Sequence, residues 1–384
     1  MGRTRRGFRM TVAWAVMLVG CIVAGCQSDV AGTPTAAADP FETAAKNAFD
    51  AAVEELAKRP AIRYRGDLEQ TGATAGSMDV TVMRTNQAVG TAKVDGATMR
   101  VVVLDGKLAA STGKEGWRKI GIKESQLAEF ARNYVVVEPD ALGFDPREAM
   151  TPAKLAELLR GLVEQRYHPR TDSVHRPVTR AKTDDGTEVY RIPVGDGFVD
   201  VTVAEPHRIV RVSGIEPVSG LSEWTDVELT DVGQQDLERA FDTLEKALAK
   251  FAEATVYVPG FELTHDPGKV NCTSSARCTV SVRVSNEIDA RGNVVSDVSV
   301  RLRATVRGGP LGTRTCTDAG TMPPNRSTEM TCSVRFSLPA VSGPVSYQIS
   351  ARLHTLGRAV YRPDVEALRT QLQRDLLRLI AEVK

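Results

Sequence analysis

The sequence predicts an α+β fold in two parts, and three observations carry the prediction. Apolar residues recur at every second position in segments spread over two long stretches, 61–229, interrupted by a helical middle, and 280–353, the pattern of antiparallel strands with one face turned to water. They recur at every third or fourth position in shorter stretches beginning near residues 41, 155, 237 and 365, the pattern of helices with one apolar face. Cys272, Cys278, Cys316 and Cys332 all fall in the second strand-rich stretch, which marks it as a unit of its own. A chain of 384 residues also exceeds what one hydrophobic core usually organises.

The chain opens with Arg3, Arg5, Arg6 and Arg9 and an apolar run from Thr11 to Val23, a secretory signal pattern too short to span a bilayer. Val23-Ala24-Gly25-Cys26 resembles the lipobox of bacterial lipoproteins. The resemblance implies that residues 1–25 are a signal peptide and that Cys26 carries a diacylglycerol. The chain is then expected on the extracytoplasmic face of the cell membrane, held by the two-chain anchor that stable attachment requires. Thr4-Arg5-Arg6-Gly7-Phe8 resembles a twin-arginine signal, with Arg9 where that pattern prefers an apolar residue. From Cys26 onward 45 Lys and Arg face 48 Asp and Glu, and no nucleic-acid partner is expected at that balance. Residues 26–39 are small and polar with no apolar period, a flexible tether.

Phe41, Ala45, Phe49, Ala52, Val53 and Leu56 predict a first helix that Pro60 stops. The period then becomes two: Ile62, Tyr64, Gly66 and Leu68 alternate with charged residues, Met78, Val80 and Val82 repeat the pattern, and Ala88, Gly90, Ala92 and Val94 follow. Asp95-Gly96 and Asp105-Gly106 supply hairpin turns into the strands at Met99-Val101-Val103 and from Lys107. A helix is predicted around Ser125–Tyr134, and another from Thr151-Pro152 with Leu155, Leu158, Leu159 and Leu162 as its stripe. Strands resume with Tyr190, Ile192 and Val194, a Gly195-Asp196-Gly197 turn, then Val199, Val201, Val203 and Ile209–Val212, and a last strand from Ser222. The count is eight or nine strands with helices on one face.

This order of lipobox, tether, helix, meander, the segment Asp105-Gly106-Lys107 to Gly116-Trp117-Arg118-Lys119-Ile120, helical middle and second meander resembles the LppX/LprAFG lipoproteins, themselves similar to the carriers LolA and LolB. The resemblance covers residues 40–231. It implies an antiparallel half-barrel wrapped around helices, with an apolar cavity for a lipid or glycolipid ligand. On that reading acyl chains lie against Val80, Val82, Gly90, Ala92, Val101, Val103, Val199 and Val201, with Leu155 and Leu159 opposite. Gly66, Ala88, Gly90 and Ala92 on the apolar face either leave room for such a ligand or let a helix pack closely against the sheet.

A connecting helix is predicted over 232–254 from Leu237, Phe241, Leu244, Leu248 and Phe251. Alternation returns at Val280–Val284, Val298–Val306, Val334-Phe336-Leu338 and Val345–Leu353, with turns at Arg291-Gly292-Asn293 and Gly308-Gly309-Pro310. Six or seven short strands over 255–362 argue for an immunoglobulin-like β-sandwich. Its four cysteines are expected to pair Cys272 with Cys278 and Cys316 with Cys332, each pair bracketing a short turn-rich segment. Residues 363–384 form a final helix.

The residues offer no catalytic constellation. His168, His175, His207, His265 and His354 are scattered, with no nucleophile elbow, phosphate-cradling loop or Cys-x-x-Cys. No enzyme activity, cofactor or metal is therefore expected. Two functions follow: binding, carrying or sensing a lipid or other apolar ligand in the half-barrel, or scaffolding with an envelope protein partner through the sandwich.

Overall fold

The computed structural model describes residues 39–69, 76–147, 150–167, 176–217, 221–258, 261–288, 295–340, 343 and 345–383. Cys26, the signal peptide and the tether up to residue 38 lie outside the described residues, as do His168, His175 and the Arg291-Gly292-Asn293 turn.

Helix α1 (Pro40–Lys58) buries Ala45, Ala48, Phe49, Ala52, Val53 and Leu56, the expected stripe, and ends ahead of Pro60. A five-strand meander follows: β1 (Ala61–Glu69), β2 (Gly76–Met83), β3 (Ala88–Val94), β4 (Ala97–Leu104) and β5 (Lys107–Ser111). The β3–β4 and β4–β5 turns place Asp95, Gly96, Asp105 and Gly106 at positive φ, the backbone that two-residue hairpins demand and Asp-Gly accepts. Short helices α2 (Lys114–Lys119) and α3 (Glu124–Phe130) lead to β6 (Val135–Val136) and then α4 (Pro152–Tyr167). The second meander comprises β7 (Thr179–Lys182), β8 (Glu188–Val194), β9 (Gly197–Thr202), β10 (Ile209–Ser213) and β11 (Glu223–Asp231). Up to residue 231 the structure thus has eleven strands among the described residues, more than the eight or nine expected, because two-residue β6 and four-residue β7 are too short to show a period.

Helix α5 (Gln234–Phe251) stops short of the predicted residue 254 because β12 (Ala254–Val256) belongs to the sheet. The remaining elements are β13 (Glu262–His265), β14 (Lys269–Cys272), β15 (Arg277–Glu287), β16 (Asp297–Arg307), β17 (Thr313–Met322), β18 (Ser327–Arg335), β19 (Ser350–Tyr361) and α6 (Val365–Val383). Residues 345–349, expected to be strand, precede β19 without joining the ladder.

One open sheet of fifteen strands runs in the order β17-β16-β19-β12-β6-β5-β4-β3-β2-β1-β11-β10-β9-β8-β7. Every pairing in it is antiparallel except β12 with β6. That parallel pair, Thr255 opposite Val135 and Val256 opposite Val136, fuses the two strand-rich stretches into one sheet. The expected boundary at residue 255 therefore falls inside shared structure, and Pro40–Lys384 is one compact unit. A second sheet places β13 and β14 along one edge of β15 and β18 along the other.

Two apolar clusters sit on opposite faces of the large sheet. The first contains even-numbered residues of β1 and β2 with α1, α4 and β8–β11. The second contains Ala61, Met83, Val102, Leu104 and Ala109 with α5, α6 and the interior between the two C-terminal sheets. Helices α1 to α4 lie on the first face, as expected for residues 40–231, and α5 and α6, from beyond that stretch, cover the second. The cause is legible in Val101-Val102-Val103-Leu104, all buried: an unbroken apolar run is what a strand needs when neither face meets water.

Candidate functional site

The residues expected to hold a ligand converge. Val80, Val82, Ala92, Val101, Val103, Leu155, Leu159, Val199 and Val201 all belong to the first cluster. The strand register aligns this face as a transverse row, Ile192-Val199-Val212-Val227-Gly66-Met78-Ala92-Met99, across eight strands. Large aromatic residues seal the cluster. Tyr64 lies tilted against Trp224 with ring centroids 5.5 Å apart and donates its hydroxyl to the Met150 carbonyl at 2.6 Å; burial pushes its pKa up. Trp117 donates its indole N–H to the Phe130 carbonyl at 3.1 Å. The polar tip of each ring is thus satisfied inside apolar surroundings, as a stable core requires.

The nine ligand candidates are between 0% and 2% exposed. Gly90 lies on the same face, in register between Val80 and Val101, and its smallness answers to the neighbouring backbone. A Cβ at Gly90 would stand 2.1 Å from the Asp79 carbonyl oxygen, and one at Gly66 would stand 1.9 Å from that of Asp226. Both glycines answer to the backbone of the next strand, the close-approach alternative, although the approaching element is a strand and not a helix. Beside Gly66 the β1–β11 register slips between Asp67 and Leu68, where strand glycines commonly accompany a bulge.

The opposite face carries a row that the sequence reading passed over. Arg191-Asp200-Arg211-Glu228-Arg65-Asp79 lie in direct register across β8, β9, β10, β11, β1 and β2, alternating in sign at every step. Arg191 binds Asp200 at 2.8 and 2.7 Å, and Arg63 binds Asp79 at 2.6 and 2.7 Å. The hydrogen bond from Arg63 holds the Asp79 carboxyl below the usual range, and burial only partly opposes it. The period-two charges of Arg63, Arg65, Asp67 and Glu69 were visible in the sequence; their partners were not, because pairing depends on strand order.

Beside this row lies a cleft of about 430 Å³ lined among others by Arg59, Asp185, Arg208, Arg211, Glu228 and Asp231. Its three arginines are already matched, Arg59 and Arg208 both on Asp231 and Arg211 on Asp226.

The cysteines pair as expected, Cys272 with Cys278 and Cys316 with Cys332. The first pair joins directly opposed residues of β14 and β15; the second ties β17 of the large sheet to β18 of the small one. His207 and His265 each place Nδ1 on a backbone carbonyl, at 2.9 and 2.7 Å. Among the described residues no group of three or more His, Cys, Asp and Glu side chains is placed to hold a metal ion, and no helix is long and apolar enough to cross a membrane.

No protein-family model matches the chain, and no curated protein does. Among solved structures the chain is similar to the complex of Pseudomonas aeruginosa MucA/MucB, at 14% identity and a TM-score of 0.23, over 75% of this chain and 93% of that one. A likeness of that size carries no argument about fold, ligand or partner.

Proposed function

We propose that the protein is a non-enzymatic lipoprotein of the cell envelope, anchored through Cys26 on the extracytoplasmic face, which acts as a scaffold or protein-binding module through its C-terminal sandwich. In this reading the N-terminal half-barrel is a packed body that holds the sandwich in place. The observation that carries it is the 0–2% exposure of Val80, Val82, Ala92, Val101, Val103, Leu155, Leu159, Val199 and Val201. A ligand site of several hundred Å³ is what carriage needs, and these side chains are instead closed in by their neighbours. The half-barrel description draws support from α1 and α4 lying together on one face of β8–β10. The immunoglobulin-like description draws support from β13–β15 and β18 stacked with β16, β17 and β19 around one apolar interior.

A second reading, carriage of a lipid or glycolipid, is favoured by the transverse apolar row and by the resemblance to the LppX/LprAFG family. It requires α1 and α4 to move off the sheet when the ligand enters.

The two are separated by producing the chain from Gln27 onward, extracting the purified protein with organic solvent and analysing the extract by mass spectrometry, wild type beside Ala92→Phe. A packed core gives no stoichiometric lipid, and the added ring overpacks it and lowers stability by about 1–3 kcal/mol. Stoichiometric lipid in the wild type and little in a still-folded Ala92→Phe would assign the carrier function instead.

A further inference from the structure

Residues 255–362 carry thirteen Lys and Arg against seven Asp and Glu, whereas residues 40–231 carry twenty-five against thirty. The fold concentrates this excess at one end of the sandwich. β16 ends at Arg307, β18 ends at Arg335 and β15 begins at Arg277, while Arg314 and Arg352 lie within three residues of the starts of β17 and β19. That these ends coincide is fixed by three links: Arg277 pairs with Arg335, Arg307 pairs with both Thr313 and Ser350, and Gly308 lies against Phe336 and Ile349.

All five arginines are exposed, and among the described residues none is in an ion pair. Stretches 269–282, 303–317 and 333–352, which contain the five arginines, have no Asp or Glu. The Arg277–Arg335 pair sets like charges directly opposite each other, an arrangement that costs stability unless an anion relieves it. Leu338 follows Arg335 by three residues and Val345 precedes Arg352 by seven; they are 49% and 51% exposed. Arginines without carboxylates around protruding aliphatic side chains combine the two forces that hold a protein surface on an anionic bilayer.

We propose that this end of the sandwich docks on the surface of an anionic lipid bilayer, with Arg277, Arg307, Arg335 and Arg352 on the headgroups and Leu338 and Val345 entering the interface. This contact is separate from the Cys26 anchor and stands whether or not the first apolar cluster takes a ligand. It would hold an anchored molecule against its membrane by a second, salt-sensitive point.

The test uses the chain from Gln27 onward, without lipid and containing the whole compact unit, pelleted with vesicles of phosphatidylcholine alone or mixed with phosphatidylglycerol in equal parts. Binding is expected to the mixed vesicles only and to fall as salt rises. Each of Arg307→Gln and Arg352→Gln should weaken it about fivefold, while Arg160→Gln on α4 should not. Leu338→Ser should weaken binding and leave its salt dependence unchanged. Melting curves confirm that these exposed substitutions leave the fold intact. Equal pelleting with both vesicle types would overturn the proposal. So would retention by soluble polyglutamate without vesicle binding, which would assign the surface to an acidic macromolecule.

Discussion

Arg191 on β8 holds the carboxylate of Asp200, its direct partner on β9, with hydrogen bonds of 2.8 and 2.7 Å, and its guanidinium carbon lies 4.0 Å from the centre of the Phe198 ring. Asp200 is fully buried, so this pair anchors the alternating row at its drier end. Removing one partner of a buried pair strands the other without compensation. Arg191→Met should therefore lower stability by about 3 kcal/mol, whereas Arg191→Met with Asp200→Leu should recover most of the loss. Urea midpoints of the two single variants and the double variant check this. Equal destabilisation by the single and double changes would mean that the row contributes nothing through its charges.

At the opposite end of the row Asp79 receives Arg63 and, at 3.2 Å, Arg65. Its folded-state pKa is depressed, first by the hydrogen bond from Arg63. A depressed carboxylate stabilises the fold above its unfolded pKa of about 3.9 and loses that contribution as pH falls through the folded value. Because the pair is partly open to water, the contribution at neutral pH is about 1 kcal/mol. Asp79→Asn should thus cost that much at pH 7, and the difference from wild type should close on acidification below about pH 4. Thermal melts across that range measure it.

Gly66, Gly90 and Gly161 give a contrast that isolates backbone fit from flexibility. A Cβ at Gly66 or Gly90 would overlap a neighbouring carbonyl oxygen, whereas one at Gly161, within α4, meets nothing within 4 Å. Gly66→Ala and Gly90→Ala should each destabilise by about 1–3 kcal/mol. Gly161→Ala should stabilise by up to about 1 kcal/mol, because it removes unfolded-state freedom in a helix interior. Chemical denaturation of the three variants decides the sign at each site.

These glycines also show where sequence reading reaches its limit. Alternation placed Ile62, Tyr64, Val80 and Val82 on the buried face because a strand's two faces are written directly into its period. It could not say what Gly66 or Gly90 was near, since that depends on which strand lies alongside. β12 was missed for the same reason: Ala254-Thr255-Val256 continues an amphipathic helix in sequence, and only its partners Val135, Val136 and β19 make it a strand. The basic end of the C-terminal strands was equally hidden, because its arginines come from five strands of two sheets that lie far apart in the sequence.

Cys316 and Cys332 were paired from the short segment between them, and they join strands of two different sheets. With 16 residues of separation, the loop-closure estimate gives about 3 kcal/mol for this bridge. Cys316→Ser with Cys332→Ser should lower stability by that amount, and non-reducing peptide mapping should find no link from either Cys272 or Cys278 to this pair. Cys272 joined to Cys316 would overturn the pairing.

Helix α6 offers two leucines two residues apart with opposite surroundings. Leu379 is fully buried and Leu377 is 71% exposed. α6 packs against α5 and reaches the β2–β3 hairpin, where Arg84 pairs with Glu382 and the Gln87 amide donates to Asp375 at 2.7 Å. Asp364 caps its start, accepting from the Ala367 N–H at 3.0 Å. These links make one face of α6 the lid of the second apolar cluster. A helix held for a membrane or for another protein would instead keep its main stripe open. Leu379→Ala should then cost about 2–5 kcal/mol, the range for truncating a buried leucine. Leu377→Ala should change stability by no more than about 0.5 kcal/mol. If both changes proved neutral, the docking of α6 on α5 would be in error, and the stripe of Leu368, Leu372 and Leu379 would become available to a partner.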